Sequence, residues 1–202
     1  MPNPAPAADF FTERLATAPV LAVLRRGDPA SLVRRAEDCW EAGAELVEVS
    51  LSDDPELIAL DAVCRRAAEL GRTAGAGTVC TAEQVRATAA AGAAFAVAPG
   101  LDADAVEAAH AIGLPYLPGV ATPSEVQAAL ALGCRTLKLF PASALGPSWL
   151  RALAGPFPAA RFVAVGGVTA ANARDFLAAG AVGVGIGSGL DPDALHDLLA
   201  RQ

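Results

Sequence analysis

The 202-residue chain predicts a single minimal α/β barrel of the (β/α)8 TIM type with a short N-terminal helix, on three observations. Apolar runs of strand length recur about every twenty residues, an alanine-rich helical stretch follows each run, and the runs number eight. Near-continuous apolar strands alternating with helices imply a parallel sheet covered on both faces, and eight such units close into a ring. A doubly wound sheet of five or six strands is the alternative, and it leaves strands over.

Residues 1–8 are Pro/Ala-rich and read as a disordered or extended segment; the barrel domain is expected over 9–202. Its first element is a helix over 9–18, capped by Asp9 and placed to plug the barrel bottom. Strands are expected at 20–24, 46–51, 73–79, 95–99, 116–120, 136–140, 162–165 and 182–186. Helices between them start at Asp28, Thr81, Thr122, Ser143 or Ser148, and Thr169, side chains that accept from orphan N–H groups. Several stop at Ala-Gly: Ala42-Gly43, Ala91-Gly92 and Ala179-Gly180.

Composition excludes several function classes. Net charge is −7 with a pI near 4.8, and the arginines are scattered, so no basic stripe exists to follow a nucleic acid. The cysteines at 39, 64, 80 and 134 form no C-x-x-C and read as small buried hydrophobes in a reducing compartment. No signal or membrane-spanning segment is visible, which points to a cytoplasmic protein. Neither a metal site nor a cofactor is expected: His110 and His196 fall in helical stretches, and Asp53-Asp54 stand alone.

The chemistry is announced by Lys138. It is the sole lysine against 14 arginines, set between Leu137 and Leu139. A guanidinium stays charged, whereas a desolvated ammonium loses its proton and attacks a carbonyl carbon. The competing reading is a strand-end lysine that snorkels to solvent. Alternation along 136–140 turns Lys138 inward, and the same parity in 46–51 turns Glu48 inward with Val47 and Val49 on the helices. An inward carboxylate beside an inward amine suits iminium chemistry, which needs protons given and taken. A buried ion pair serving packing is the alternative.

Active sites of such barrels lie at the C-terminal strand ends. The first strand there ends in Arg25-Arg26, the second carries Glu48 and Ser50, the third ends in Gly75-Ala76-Gly77-Thr78, and the fourth in Pro99-Gly100. Gly166-Gly167 end the seventh strand and Gly187-Ser188-Gly189 the eighth, where backbone N–H groups commonly hold phosphate. Glycine at such turns also serves positive φ alone.

Val47-Glu48-Val49, Gly75-Ala76-Gly77-Thr78-Val79, Pro99-Gly100, Leu117-Pro118-Gly119, Lys138-Leu139-Phe140-Pro141-Ala142, Val165-Gly166-Gly167-Val168 and Gly187-Ser188 resemble the 2-dehydro-3-deoxy-6-phosphogluconate / 2-dehydro-3-deoxy-6-phosphogalactonate aldolase family over about residues 19–190. The resemblance implies a trimeric class I aldolase that splits a phosphorylated keto-deoxy sugar acid into pyruvate and glyceraldehyde 3-phosphate. It implies Lys138 as the Schiff-base lysine and Glu48 as the acid/base, with Thr78, Pro99 and Phe140 around the pyruvate. Ser52 stands where gluconate-type members carry arginine, and Val165 where they carry threonine, so the chain resembles the phosphogalactonate branch. Arg25 is then expected to supply the cation near the carboxylate. An aldolase for 4-hydroxy-2-oxoglutarate, a phosphate-binding isomerase or synthase in which Lys138 only neutralises charge, and a ligand-sensing barrel are the competing readings.

Overall fold

The computed structural model describes residues 10–51, 55–187 and 190–200. Its strands are β1 Val20–Leu24, β2 Leu46–Ser50, β3 Thr73–Gly77, β4 Ala96–Val97, β5 Tyr116–Leu117, β6 Gly119–Val120, β7 Thr136–Leu139, β8 Arg161–Val165 and β9 Gly183–Ile186. The helices are α1 Phe10–Thr17, α2 Pro29–Glu41, α3 Pro55–Leu70, α4 Ala82–Ala90, α5 Ala103–Ile112, α6 Pro123–Ala131, α7 Ala142–Ala154, α8 Ala173–Ala178 and α9 Pro192–Ala200. Every strand pairing is parallel, in the order β5-β4-β3-β2-β1-β9-β8-β7-β6.

The expected eight strands become nine segments because the fifth is divided at Pro118. Proline has no N–H to give a ladder. Residues before it serve β4, with the Ala98 N–H donating to Leu117 O at 3.0 Å; beyond it the strand serves β7, and Pro118 O itself accepts from the Lys138 N–H at 2.8 Å. The two sheet edges are therefore halves of one strand, and the barrel closes through covalent chain. The expected strand at 73–79 stops at Gly77, since Thr78 turns to φ 63°, outside the β region.

Alternation sorts the core into two shells. Leu21, Val23, Leu46, Phe95, Val97, Leu117, Val163 and Val165 fill the barrel axis, while Val47, Val49, Leu137 and Leu139 pack outward beneath the helices. As expected, α1 seals the bottom: Phe11 and Leu15 join the axial cluster, and Phe11 meets Phe95 edge-on at 5.6 Å. Each such buried side chain contributes roughly 1.5–3 kcal/mol. Its expected cap, Asp9, lies outside the described residues.

The helix signals hold at most positions. Asp28 Oδ1 accepts from the Ser31 N–H at 3.0 Å, and Thr81/Gln84 and Thr122/Glu125 form capping boxes. Gly43, Gly92 and Gly180 end their helices at positive φ. Two expected starts are corrected. No side chain caps α7; Ser143 sits inside its first turn, and Gly146 (φ 81°) followed by Pro147 kinks the helix before Ser148. Thr169 instead opens a turn held by Asn172, and α8 begins only at Ala173. No helix among the described residues is long and apolar enough to cross a membrane.

Candidate active site

Lys138 leaves only 4% of its surface exposed and Glu48 only 1%. Both point inward from the middle of their strands, for the reason the parity gave: Leu137, Leu139, Val47 and Val49 are claimed by the helices. Burial pushes the Lys138 ammonium below the ordinary lysine range; Glu48 opposes the shift and Arg25 reinforces it. Burial likewise pushes the Glu48 carboxyl up, with Lys138 and Arg25 opposing. The two groups thus feel each other across the barrel, yet they form no close ion pair among the described residues. Glu48 Oε2 is buried without a hydrogen-bond partner. An amine that gives up its proton readily faces a carboxyl that keeps one readily, which equips the site for addition to a carbonyl and for proton transfer.

Glycines make this arrangement possible. A Cβ at Gly77 would collide with the Glu48 carboxylate, and one at Gly75 would come within 2.6 Å of the Phe95 ring. The Lys138 Nζ lies 5.0 Å from the centre of the half-buried Phe140 ring, whose face excludes water from the amine while attracting its charged form. Thr78 follows β3, and its Oγ1 shares a 2.9 Å hydrogen bond with Ser50 Oγ. Pro99 is half-buried after β4, its carbonyl lying where a Cβ on Gly119 would fall.

The opposite side of the mouth is made of backbone. Gly166 (φ 96°) and Gly167 (φ 71°) occupy conformations that side chains resist. Space is closed there too: a Cβ at Gly166 would sit 2.8 Å from the Phe140 ring, and one at Gly167 would collide with Ser143 Oγ. The Ser143 N–H donates to Gly166 O at 2.9 Å, so the start of α7 is tied to the turn after β8. Val165 is buried at 2% exposure and packs over Gly185. The Arg25 side chain lies beside Gly187, whose Cβ would meet Nε at 3.5 Å, and reaches the mouth from an exposed position. Arg35 Nη1 donates to the carbonyls of Arg25 (3.1 Å) and Arg26 (3.2 Å), fixing that loop. Ser52 and Ser188 lie outside the described residues.

Three further side chains at the mouth carry no role in the site from the sequence alone. Ser50 shares the inward parity of Glu48, and that was its available signal. Ser143, expected as a cap, faces Gly167 instead. Cys80 is exposed, against the expectation of a buried thiol, because it lies in the β3–α4 loop with Sγ 3.5 Å from Thr78 O; Cys39, Cys64 and Cys134 are buried. A hollow of about 460 Å³ also opens on the outer surface between α2 and α9, lined by Asp38, Glu41, Asp191, Asp193 and His196 among others. Its carboxylate wall repels anions and none of the strand-end residues reaches it, so the chemistry, and not this hollow, locates the site.

Comparison with known proteins bears on that chemistry. The family model described as KDPG and KHG aldolase matches residues 11–198. The KHG/KDPG aldolase of Escherichia coli (strain K12) is 37% identical over 184 residues, spanning 90% of this chain and 85% of the relative. The 2-dehydro-3-deoxy-6-phosphogalactonate aldolase of the same strain is 35% identical over 173 residues, 85% of this chain and 84% of the relative. Among solved structures, KDPG aldolase from Legionella pneumophila with pyruvate captured as a covalent carbinolamine superposes with a TM-score of 0.84 at 30% identity, covering 94% of this chain and 96% of that one. The two substrate branches lie at nearly equal identity, so overall similarity does not separate them.

Proposed function

The chain belongs to the KDPG and KHG aldolase family, and on that premise we propose a class I aldolase that cleaves a 2-dehydro-3-deoxy-6-phospho sugar acid, of galactonate or gluconate type, into pyruvate and glyceraldehyde 3-phosphate. One observation carries the reading: a buried sole lysine whose ammonium is destabilised by burial, opposite a buried carboxyl that burial pushes upward. In the neutral form Lys138 Nζ attacks the keto carbon. Glu48 delivers a proton to the resulting oxygen, water leaves, and an iminium remains. The iminium draws the electrons of the C3–C4 bond as the C4 hydroxyl loses its proton to the Glu48 carboxylate. The aldehyde departs, the enamine takes a proton at C3, and water releases pyruvate and the free amine. Thr78, Pro99 and Phe140 bound the pyruvate half; Gly166, Gly167, Gly187 and Ser188 hold the phosphate by backbone N–H groups and a hydroxyl; Arg25 faces the carboxylate end.

The test is reduction in place. Pyruvate with borohydride should inactivate the protein and add one three-carbon unit at Lys138, seen by peptide mass spectrometry. Pyruvate that protects nothing and labels nothing would leave a barrel whose lysine only neutralises charge. Val165 and the absence of arginine at Ser52 favour the phosphogalactonate branch. A second reading, cleavage of 4-hydroxy-2-oxoglutarate, is favoured by the family's joint description and is separated by assaying that acid beside the phosphorylated one. The protein is further proposed to work in the cytoplasm as a homotrimer. Light scattering reads the assembly, for which the exposed Ile58, Leu70, Ile112 and Trp149 offer apolar surface.

A further inference from the structure

Ser50 is one of five buried polar or charged side chains among the described residues, 2% exposed, and the two other buried groups at the mouth are Glu48 and Lys138. It sits two residues beyond Glu48 on the same inward face, in register with Gly77. Its hydroxyl meets Thr78 Oγ1 at 2.9 Å. Thr78 holds φ 63°, a conformation that a β-branched residue adopts rarely and only under strain. Backbone so constrained leaves the direction of Oγ1 to χ1 alone, and rotation by one rotamer exchanges the hydroxyl for the methyl on the same Cβ. A hydroxyl also has a single proton to donate. If Thr78 spent that proton on Ser50, it could only accept, and it would repel an anion.

We propose that Ser50 is a positioning residue that donates its proton to Thr78 Oγ1, holding that hydroxyl in one rotamer and committing the Thr78 proton to the anionic, pyruvate-derived end of the substrate. The inference rests on the aldolase reading above. Ser50 does not touch the reacting atoms; it acts through Thr78. Two hydroxyls in series also polarise each other, so the Thr78 donor is stronger than an isolated one.

The experiment is borohydride trapping at varied pyruvate concentration, on purified protein, in a two-by-two set: wild type, Ser50→Ala, Thr78→Val and the double variant. Loss of a neutral hydrogen bond that orients a donor is expected to raise the half-saturating pyruvate by about three- to tenfold in Ser50→Ala, with the maximal trapping rate within about twofold of wild type. Ser50→Thr restores the wild-type value; Ser50→Cys, with similar volume and a weak donor, behaves as Ser50→Ala. In the Thr78→Val background the Ser50→Ala change has no further effect, because the group it positions is gone. Additive losses in the double variant, or an unchanged half-saturating concentration in Ser50→Ala, overturn the inference while leaving the wild-type Lys138 adduct in place. No trapped adduct in wild type overturns the aldolase reading, and this inference with it.

Discussion

The half of the barrel mouth formed by β2, β3 and β7 presents side chains, whereas the half formed by β8 and β9 presents backbone. Glu48, Ser50, Thr78 and Lys138 gather on the first; Gly166, Gly167 and Gly187 line the second. The difference follows from what each half has to do. An amine becomes a nucleophile only when water is removed from its charged form, so the first half is built dry and pressed against Phe140. The phosphate proposed for the second half would need many short N–H contacts and no loss of charge, which residues without Cβ can offer. One half stores electrostatic cost, the other conformational cost.

The comparison breaks first at Lys138. Lys138→Arg keeps the charge and loses the nucleophile, and turnover should fall by at least about 10⁴-fold, as in Lys138→Ala. Retained activity in the arginine variant, measured by coupled release of pyruvate, would remove the chemical reason for a dry half. Glu48→Gln keeps the shape and removes proton transfer, with kcat expected to drop by roughly 10²–10⁴-fold and KM little changed. A raised KM at normal kcat would make Glu48 a binding group instead.

Those two positions also set a stability prediction whose sign follows from burial. Glu48, raised in the fold, supports stability fully below the unfolded carboxyl value and loses that support as pH rises through its folded value. Lys138, lowered in the fold, supports stability fully above the ordinary lysine value and loses that support as pH falls through its folded value. Neutral pH lies between, where both carry their burial cost. Replacing the two together by Lys138→Met/Glu48→Gln removes both burial costs and should therefore stabilise the fold, read as a raised Tm at pH 7. A lowered Tm would mean the pair is structural.

Much of the first half was legible in sequence because parity carries it: a strand of period two that buries Leu137 and Leu139 outward must bury Lys138 inward. Glycine at 166 and 167 was legible for its freedom. The parts that were not legible depend on contacts between distant segments. The run at 116–120 reads as one apolar strand, and only the two different neighbours of its halves reveal the division at Pro118. Thr78 obeys no propensity in taking φ 63°, so its bond to Ser50 is invisible before the backbone is known. Ser143 and Thr169 had the residue type of caps, but the Gly146 kink and the turn through Asn172 moved the helix starts away from them.

On the backbone half, Gly167→Ala places a Cβ at φ 71° against Ser143 Oγ. The turn must shift, and KM for the phosphorylated substrate should rise on the order of 10- to 100-fold, given a strain of order 1–3 kcal/mol. Trapping of pyruvate, which has no phosphate, should stay within about twofold of wild type. Equal damage to both measurements would show that the halves are mechanically one.

The smallest expected effect lies where the halves meet, at Val165. This residue is inward on β8, one step toward the mouth from Val163, the register partner of Lys138, and it presents only methyl groups. The gluconate and galactonate substrates differ at C4, whose bond to C3 is the one broken. An apolar wall discriminates weakly between hydroxyl epimers, whereas a hydroxyl partner rewards the epimer it can reach. Wild type should therefore accept the galactonate epimer at least as well as the gluconate one. Val165→Thr should move the kcat/KM ratio toward gluconate by about tenfold or less, because a buried threonine hydroxyl gains a partner only when that epimer is bound. Steady-state rates on both epimers, for both proteins, decide it. A wild-type preference for gluconate above about tenfold, unmoved by the substitution, would place discrimination elsewhere on the mouth, with Arg25 the next residue to vary.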